Sequence, residues 1–554
     1  MDTLRKARRV SPSGVTIALA ALLAVPAAAQ TTWNVPGDYP SIHAALGFSS
    51  DGDTIEVEPG TYHEYLDTFG KTLTLRGLGG ADVTIVDATG WGKSVLTISG
   101  GAPVIEGLTL RGGAPPSSSS NGGGGVSASA GTPTLIACTI RDNTVTLKTG
   151  GGVYGATPAL VTLQDCTLRG NTVTNGGVGG GASKNVVLQG CLVEDNSAGQ
   201  GGGLYNVLGA TDCIIRGNSA TTNGGGVALS LDAITHCVIQ GNIAGANGGG
   251  MWSSVVVPAG GMLPPVADVS LLQNTAIFGG GLYYTVSGTP RGVGGTLERV
   301  VFADNFADSA NDGAYVNVAE SFTGEFTVTS CTFSNDRLFV TSVPLTVVNS
   351  IFWGLTGAIQ CQCLGYPVQV SYSDVKGGFA GVGNVNIDPL FVDAAHADVA
   401  LQQGSPCIDK GDPASPPDPD GTPADMGALP YDPWTDLGFA LAGSQGEPVL
   451  DGTGPLTPGS IDGLELSHAP AGVAATLVLG LAELDASFKG GVMVPQPNAY
   501  ITALVTGPLG GFTIPFVWPV GLPTGLAVYL QCWLPDAAAP KGFAASNGLR
   551  LAPP

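Results

Sequence analysis

A six-residue unit that recurs through the middle of the chain does most to constrain its fold. It reads Cys-Thr-Ile-Arg-Asp-Asn at 138–143 and returns as Cys-Thr-Leu-Arg-Gly-Asn (166–171), Cys-Leu-Val-Glu-Asp-Asn (191–196), Cys-Ile-Ile-Arg-Gly-Asn (213–218) and Cys-Val-Ile-Gln-Gly-Asn (237–242). Degenerate copies end at Asn274 and Asn305, and another begins at Cys331. The steps from Cys to Cys are 28, 25, 22 and 24 residues. Between copies stands a glycine triplet followed by an apolar residue, as at 150–152 before Val153, 201–203 before Leu204 and 248–250 before Met251. Apolar and polar residues alternate over four to six positions and the alternation then breaks at Gly or Asn, which is the chemistry of a strand followed by a turn. A unit this small cannot bury its own apolar face, so each must be covered by the next. Gly and Asn tolerate the left-handed backbone that tight corners require. The expected fold is all-β, a parallel β-helix of roughly a dozen coils, about 60 Å long at ~4.8 Å per coil.

Strand alternation assigns the side chains to faces. With Cys138 inward, Ile140 is inward too, while Thr139 and Arg141 face out. The Cys column reads as a core ladder of small apolar thiols in preference to a metal or redox site. Adjacent coils are slightly too far apart for a relaxed disulfide between them, so Cys361, Cys363, Cys407 and Cys532, which lie off the ladder, are the disulfide candidates. The column from Asn143 to Asn305 is expected to be an internal amide ladder. One outward column reads Arg141, Arg169, Glu194, Arg216, Gln240, with Asp142 and Asp195 one place further on, and an exposed ion-pair ladder is its simplest reading. A second outward column follows the glycine triplets: Tyr154, Tyr205, Trp252, Tyr283 and Tyr315, interrupted by Ser183 and Ala228. Exposed rings in a row offer apolar faces on which sugars stack, unless they fold down over the glycine corners.

Charge narrows the choice of partners. Only 12% of the residues are charged, and the formal net charge is −22. The first 29 residues have the pattern of an export signal: a basic head (Arg5, Lys6, Arg8, Arg9), an apolar run over 15–25 and a small-residue cleavage site at 27–29. Removing it leaves 17 basic and 42 acidic residues, a net of −25. Such a surface repels a phosphate backbone, so nucleic acid is not an expected partner. No later apolar run is long enough for a membrane helix. The expected location is secreted or at a bacterial cell surface, as a monomer with no required cofactor. The five His are dispersed, there is no His-Glu-x-x-His or paired Cys-x-x-Cys, and no Gly-x-Ser-x-Gly occurs.

These residues together resemble the right-handed parallel β-helix proteins of the pectin-lyase-like fold. The Asn-x-Ala…Gly-Gly-Gly pattern, at Asn196, Asn218 and Asn274, and Phe302-Ala-Asp-Asn305 look like polymorphic outer-membrane-protein repeats. The segments 35–46 and 51–62 are similar to the N-terminal cap of exported β-helix proteins, whose short amphipathic helix plugs the open end of the stack. Ser405-Pro-Cys-Ile-Asp-Lys-Gly-Asp412 looks like their closing motif. The implied organisation is a signal peptide over 1–29, a cap and first strands over 30–70, the β-helix over 71–430 and, beyond a proline-rich stretch, a small C-terminal β-sandwich-like domain over 434–554. The resemblance specifies a fold and leaves activity open, because the scaffold hosts lyases, hydrolases, adhesins and non-enzymes. The Asn-Thr-Asp, Asp-Asp and Gly-His-Gly motifs of β-helical polygalacturonases do not occur here. A structural or polysaccharide-binding role without a clear catalytic site is therefore expected. The alternative is a calcium-dependent, pectate-type polysaccharide lyase. In that alternative Arg169 or Arg216 is the base that takes the C5 proton, and Glu194 and Asp195 hold the ion. Asp418, Asp420 and Asp425 form a second candidate calcium clip in a Gly/Pro turn.

Overall fold

The computed structural model describes residues 30–554 except 118–121, 230–233, 258–264, 289–294, 310–311, 319–323, 364 and 524. The expected export segment, 1–29, lies outside the described residues. The chain forms two compact units, one ending at Val370 and the other running from Ser371 to Pro554. The proline-rich stretch at 412–433 falls inside the second unit.

In the first unit, strand pairing is parallel and in register from coil to coil. One coil consists of Val153–Gly155, Val161–Gln164, Thr167–Arg169 and Thr172–Thr174, and each strand pairs with its counterpart in the next coil. The sheet that contains Val153–Gly155 has twelve strands, one per coil. Inward columns run the length of the stack: Ile140, Leu168, Val193, Ile215, Ile239 and Leu271 follow one another in register and are fully buried. The same column continues as Phe302, Phe333 and Phe352, whose rings stack at 4.5 and 4.6 Å. Parallel sheets need both faces covered, and here the far walls of the coil supply the inner cover.

The glycine triplets form one wall. In each, the first glycine is left-handed (φ 69° at Gly150), and its neighbours donate N–H to the triplet of the next coil, Gly151 to Gly179 and Gly152 to Gly180. A Cβ at Gly151 or Gly152 would collide with that next triplet, so backbone packs directly on backbone. The short helix Ile42–Phe48 begins the unit. Ser41 Oγ accepts the Ala44 N–H, Glu64 accepts the N–H groups of Ile42 and His43, and Ile42, Ala45 and Leu46 are buried.

The second unit is antiparallel. Trp434–Gly438, Gly548–Leu551, Val528–Pro535, Ala474–Gly480 and Ala499–Val505 are neighbours in one sheet. Val449–Thr453, Ile461–Ser467 and Phe512–Val517 form a second sheet. Trp434, Leu464, Leu477, Trp518 and Cys532 share one core drawn from both sheets, as in a small sandwich. No helix among the described residues is long and apolar enough to cross a membrane.

Of the disulfide candidates, Cys361 and Cys363 pair with each other, while Cys407 and Cys532 are free and buried. Cys532 sits in the sandwich core, and the Cys407 thiol lies 3.6 Å from the Asp374 carboxylate. Neither has a sulfur partner among the described residues.

Candidate functional site

Four columns of side chains recur along the solenoid, and their geometry separates structural work from available chemistry. The Cys column is inward, with Cys138, Cys166, Cys191, Cys213, Cys237 and Cys331 free and buried. The residue before each of them is left-handed, for example Asp165 at φ 51° and Asp212 at φ 55°. Each thiol points across that corner to the carbonyl two residues back, Cys213 to Thr211 at 3.2 Å and Cys237 to Thr235 at 3.2 Å. Ser350 does the same to Val348 at 2.9 Å. The column is thus a row of corner clips as well as a core ladder. Burial pushes the Cys331 thiol up to about 12, so it stays protonated.

The Asn column is a continuous buried amide chain. Each Nδ2 donates to the next Asn Oδ1 and to a backbone carbonyl of the previous coil: Asn196 to Asn218 Oδ1 at 3.0 Å and to Leu168 O at 2.9 Å. The same links run from Asn143 to Asn305. Sequence reasoning missed where the chain ends. Asn305 donates to Asp336, a fully buried carboxylate whose other oxygen has no partner among the described residues.

The arginine column is an ion-pair ladder. Arg141, Arg169, Glu194, Arg216 and Gln240 are successive register partners. Arg216 grips Glu194 Oε2 with two nitrogens at 2.7 and 2.9 Å, and Arg169 Nε lies 3.5 Å from Oε1 and 3.6 Å from Asp195. Glu194 is 8% exposed, so a cation there would have to displace a guanidinium from whichever oxygen it took. The lyase candidates Arg169 and Arg216 and the ligand candidates Glu194 and Asp195 are therefore brought together, engaged with one another. The second acidic set is closed on its own backbone: Asp418 accepts Asp425 N–H, Asp425 accepts the N–H groups of Asp409 and Tyr431, and Asp420 accepts Thr422. Among the described residues, no group of three or more His, Cys, Asp or Glu is arranged to hold a metal ion.

The aromatic column is outward and in register. Tyr154, Ser183, Tyr205, Ala228, Trp252, Tyr283 and Tyr315 are successive partners, and Phe339, which sequence reasoning missed, continues the row. Phe339 follows Asp336 and Arg337, with no glycine triplet to mark it. The rings divide into two groups. Tyr283, Tyr315 and Phe339 stack on one another at 5.0 and 5.1 Å and use up their own faces. Tyr154, Tyr205 and Trp252 are spaced by the small residues Ser183 and Ala228, which point outward yet are fully buried. The three rings are half-buried and stand two coils apart in the column. Two columns away from the rings' backbone positions, Ser254, Thr285, Asn317 and Thr341 form a parallel polar row, in which Thr341 Oγ1 meets Asn317 Oδ1 at 3.0 Å. At the Tyr154 end is a cavity of about 370 Å³ lined by Leu147, Lys148, Thr149, Tyr154, Val178 and Lys184.

The family described as right handed beta helix region matches residues 89–255, a stretch that includes the aromatic column as far as Trp252. That match and the coil geometry define the first unit as a right-handed parallel β-helix. No curated protein matches the chain. Among solved structures, pectate lyase Pel9A is similar at 13% identity, with a TM-score of 0.32, over 73% of this chain and 97% of that one. A pectin methylesterase mutant in complex with a hexasaccharide is similar at 12% identity, with a TM-score of 0.16, over 68% of this chain and 98% of that one. Neither overlap is close enough to carry an argument about this site.

Proposed function

We propose that the protein is an exported, cell-surface or extracellular β-helix that binds polysaccharide along its outward aromatic column and breaks no bond there. The observation that carries this reading is the outward row of half-buried rings Tyr154, Tyr205 and Trp252, spaced two coils apart by the small residues Ser183 and Ala228. Strand spacing sets that row at ~4.8 Å per coil, about the length of one pyranose unit, so a glycan lying along the helix axis meets the rings in phase. From Trp252 onward a parallel row of hydroxyls and an amide, Ser254 to Thr341, runs beside the column and suits a sugar rim.

The test is retention of the chain lacking residues 1–29 on a panel of neutral and acidic polysaccharides, followed by Tyr205→Ala and Trp252→Ala. Each ring is expected to contribute about 1 kcal/mol, so the double variant should elute much earlier at unchanged circular dichroism. Failure to be retained on any polymer, or undiminished retention of the double variant, would overturn the reading.

A further inference from the structure

We infer that the pocket at the start of the aromatic column recognises the anionic group of an acidic sugar, a carboxylate or a sulfate, and so gives the proposed glycan surface its charge preference. The inference rests on the polysaccharide reading and adds to it the class of sugar.

The pocket combines features that a neutral sugar would not need. Lys148 and Lys184 both line it, in a chain whose formal net charge is −22. The arginines of the described first unit are all engaged by carboxylates: Arg76 by Glu106, Arg111 by Asp87, Arg141 by Asp142, Arg169 and Arg216 by Glu194, Arg299 by Asp268 and Arg337 by Asp312. Lys184 has no carboxylate partner among the described residues, and its ammonium stands 5.7 Å over the Tyr154 ring. A cation held on a ring face beside a cavity is placed to meet an anion while the ring meets the sugar body.

The walls also fit a ring with one charged corner. Leu147 is 62% exposed and supplies an apolar side. Gly122 and Gly177 also line it, and a Cβ on either would run into the backbone carbonyl of Thr149 or Lys148, so the backbone packs tightly there. Lys184 itself is left-handed, at φ 66°, a conformation that few bulky residues adopt. The net negative charge of the chain repels polyanions in general, so binding of an acidic glycan has to be local and short-ranged.

Titration calorimetry on the mature chain decides the matter, with an oligogalacturonate, a sulfated oligosaccharide and a neutral oligosaccharide of equal length as probes. One or both acidic probes should bind more tightly than the neutral one, and which of them does identifies the anion. Lys184→Asn, which keeps a residue tolerant of the left-handed backbone, should cost about tenfold in affinity for that probe and nothing for the neutral one; Lys184→Arg should retain the preference. Lys148→Gln provides the second arm at a less strained position. Equal affinity for all three probes, or an acidic preference untouched by both variants, overturns the inference while binding itself upholds the glycan surface. Absence of binding to every probe removes both.

Discussion

A single carboxylate shows how tightly the solenoid interior is specified. Asp336 occupies the next step of the asparagine ladder, with one oxygen accepting from Asn305 at 2.8 Å and the other without a partner among the described residues. Burial, aided by Asp312 and Asp304, raises its pKa well above the usual carboxylate range, so the folded chain favours the protonated form. Each ladder amide donates to the carbonyl three residues before the preceding Asn, as Asn305 does to Leu271. Asp336→Asn should extend that pattern to the Phe302 carbonyl and stabilise the protein by about 1–2 kcal/mol at pH 8, seen as a higher denaturation midpoint; a lower midpoint would refute it. The opposite sign is expected for Asn218→Ala, which leaves the partners of two amide links buried and bare and should cost about 3 kcal/mol. On the exposed ladder, Arg169→Ala should change stability by no more than about 0.5 kcal/mol, because Arg169 is 58% exposed. The same variant tests the lyase alternative. The expected result is that near-UV absorbance on pectate or alginate with calcium stays flat for the parent protein; a rise that Arg169→Ala or Arg216→Ala abolishes would establish the base.

At the scale of the element, the corner sets the limits. Coil after coil turns at a left-handed residue, followed by a small donor, Cys or at 350 Ser, in most of the central coils and by Val269 and Val300 in two others. Cys213→Ser should therefore be tolerated within about 1 kcal/mol, since the hydroxyl can make the same bond to Thr211. Gly202→Ala should be far more damaging, about 3 kcal/mol or more, because the added Cβ runs into the Ser219 and Gly225 carbonyls of the next coil. Thermal melts of the two variants check both. The repeat period, the inward Cys and Asn columns and the outward Arg and aromatic columns were all legible in the sequence, because parallel stacking turns a one-dimensional period directly into a column. Phe339 was not, since its coil lacks a glycine triplet, and Lys184 was hidden behind Ser183, which reads as a mere gap in the aromatic row.

For the whole molecule, buried carboxylates set the response to pH. Burial pushes Asp374 and Asp418 up to about 6 and Asp425 up to about 7, all three in the second unit. A carboxyl whose folded pKa lies above its unfolded value of ~3.9 binds more protons when folded, so its stabilisation is complete below that value and disappears as pH rises through the folded pKa. The unfolding temperature of the second unit, followed by the fluorescence of Trp434, Trp518 and Trp533, should therefore fall between about pH 4 and pH 7. A midpoint that rises across that interval would show that these groups do not govern it. Composition, repeat period and strand phase belong to the sequence and are sufficient for the β-helix, its inward ladders and its acidic surface, because each follows from which residue can face water at a fixed spacing. Which rings stack, which oxygen of Glu194 each arginine takes, where the amide ladder ends and where a lysine crosses a tyrosine beside a pocket depend on distances between coils. Only the folded stack settles those distances, since residues some thirty positions apart in sequence become neighbours one strand spacing apart.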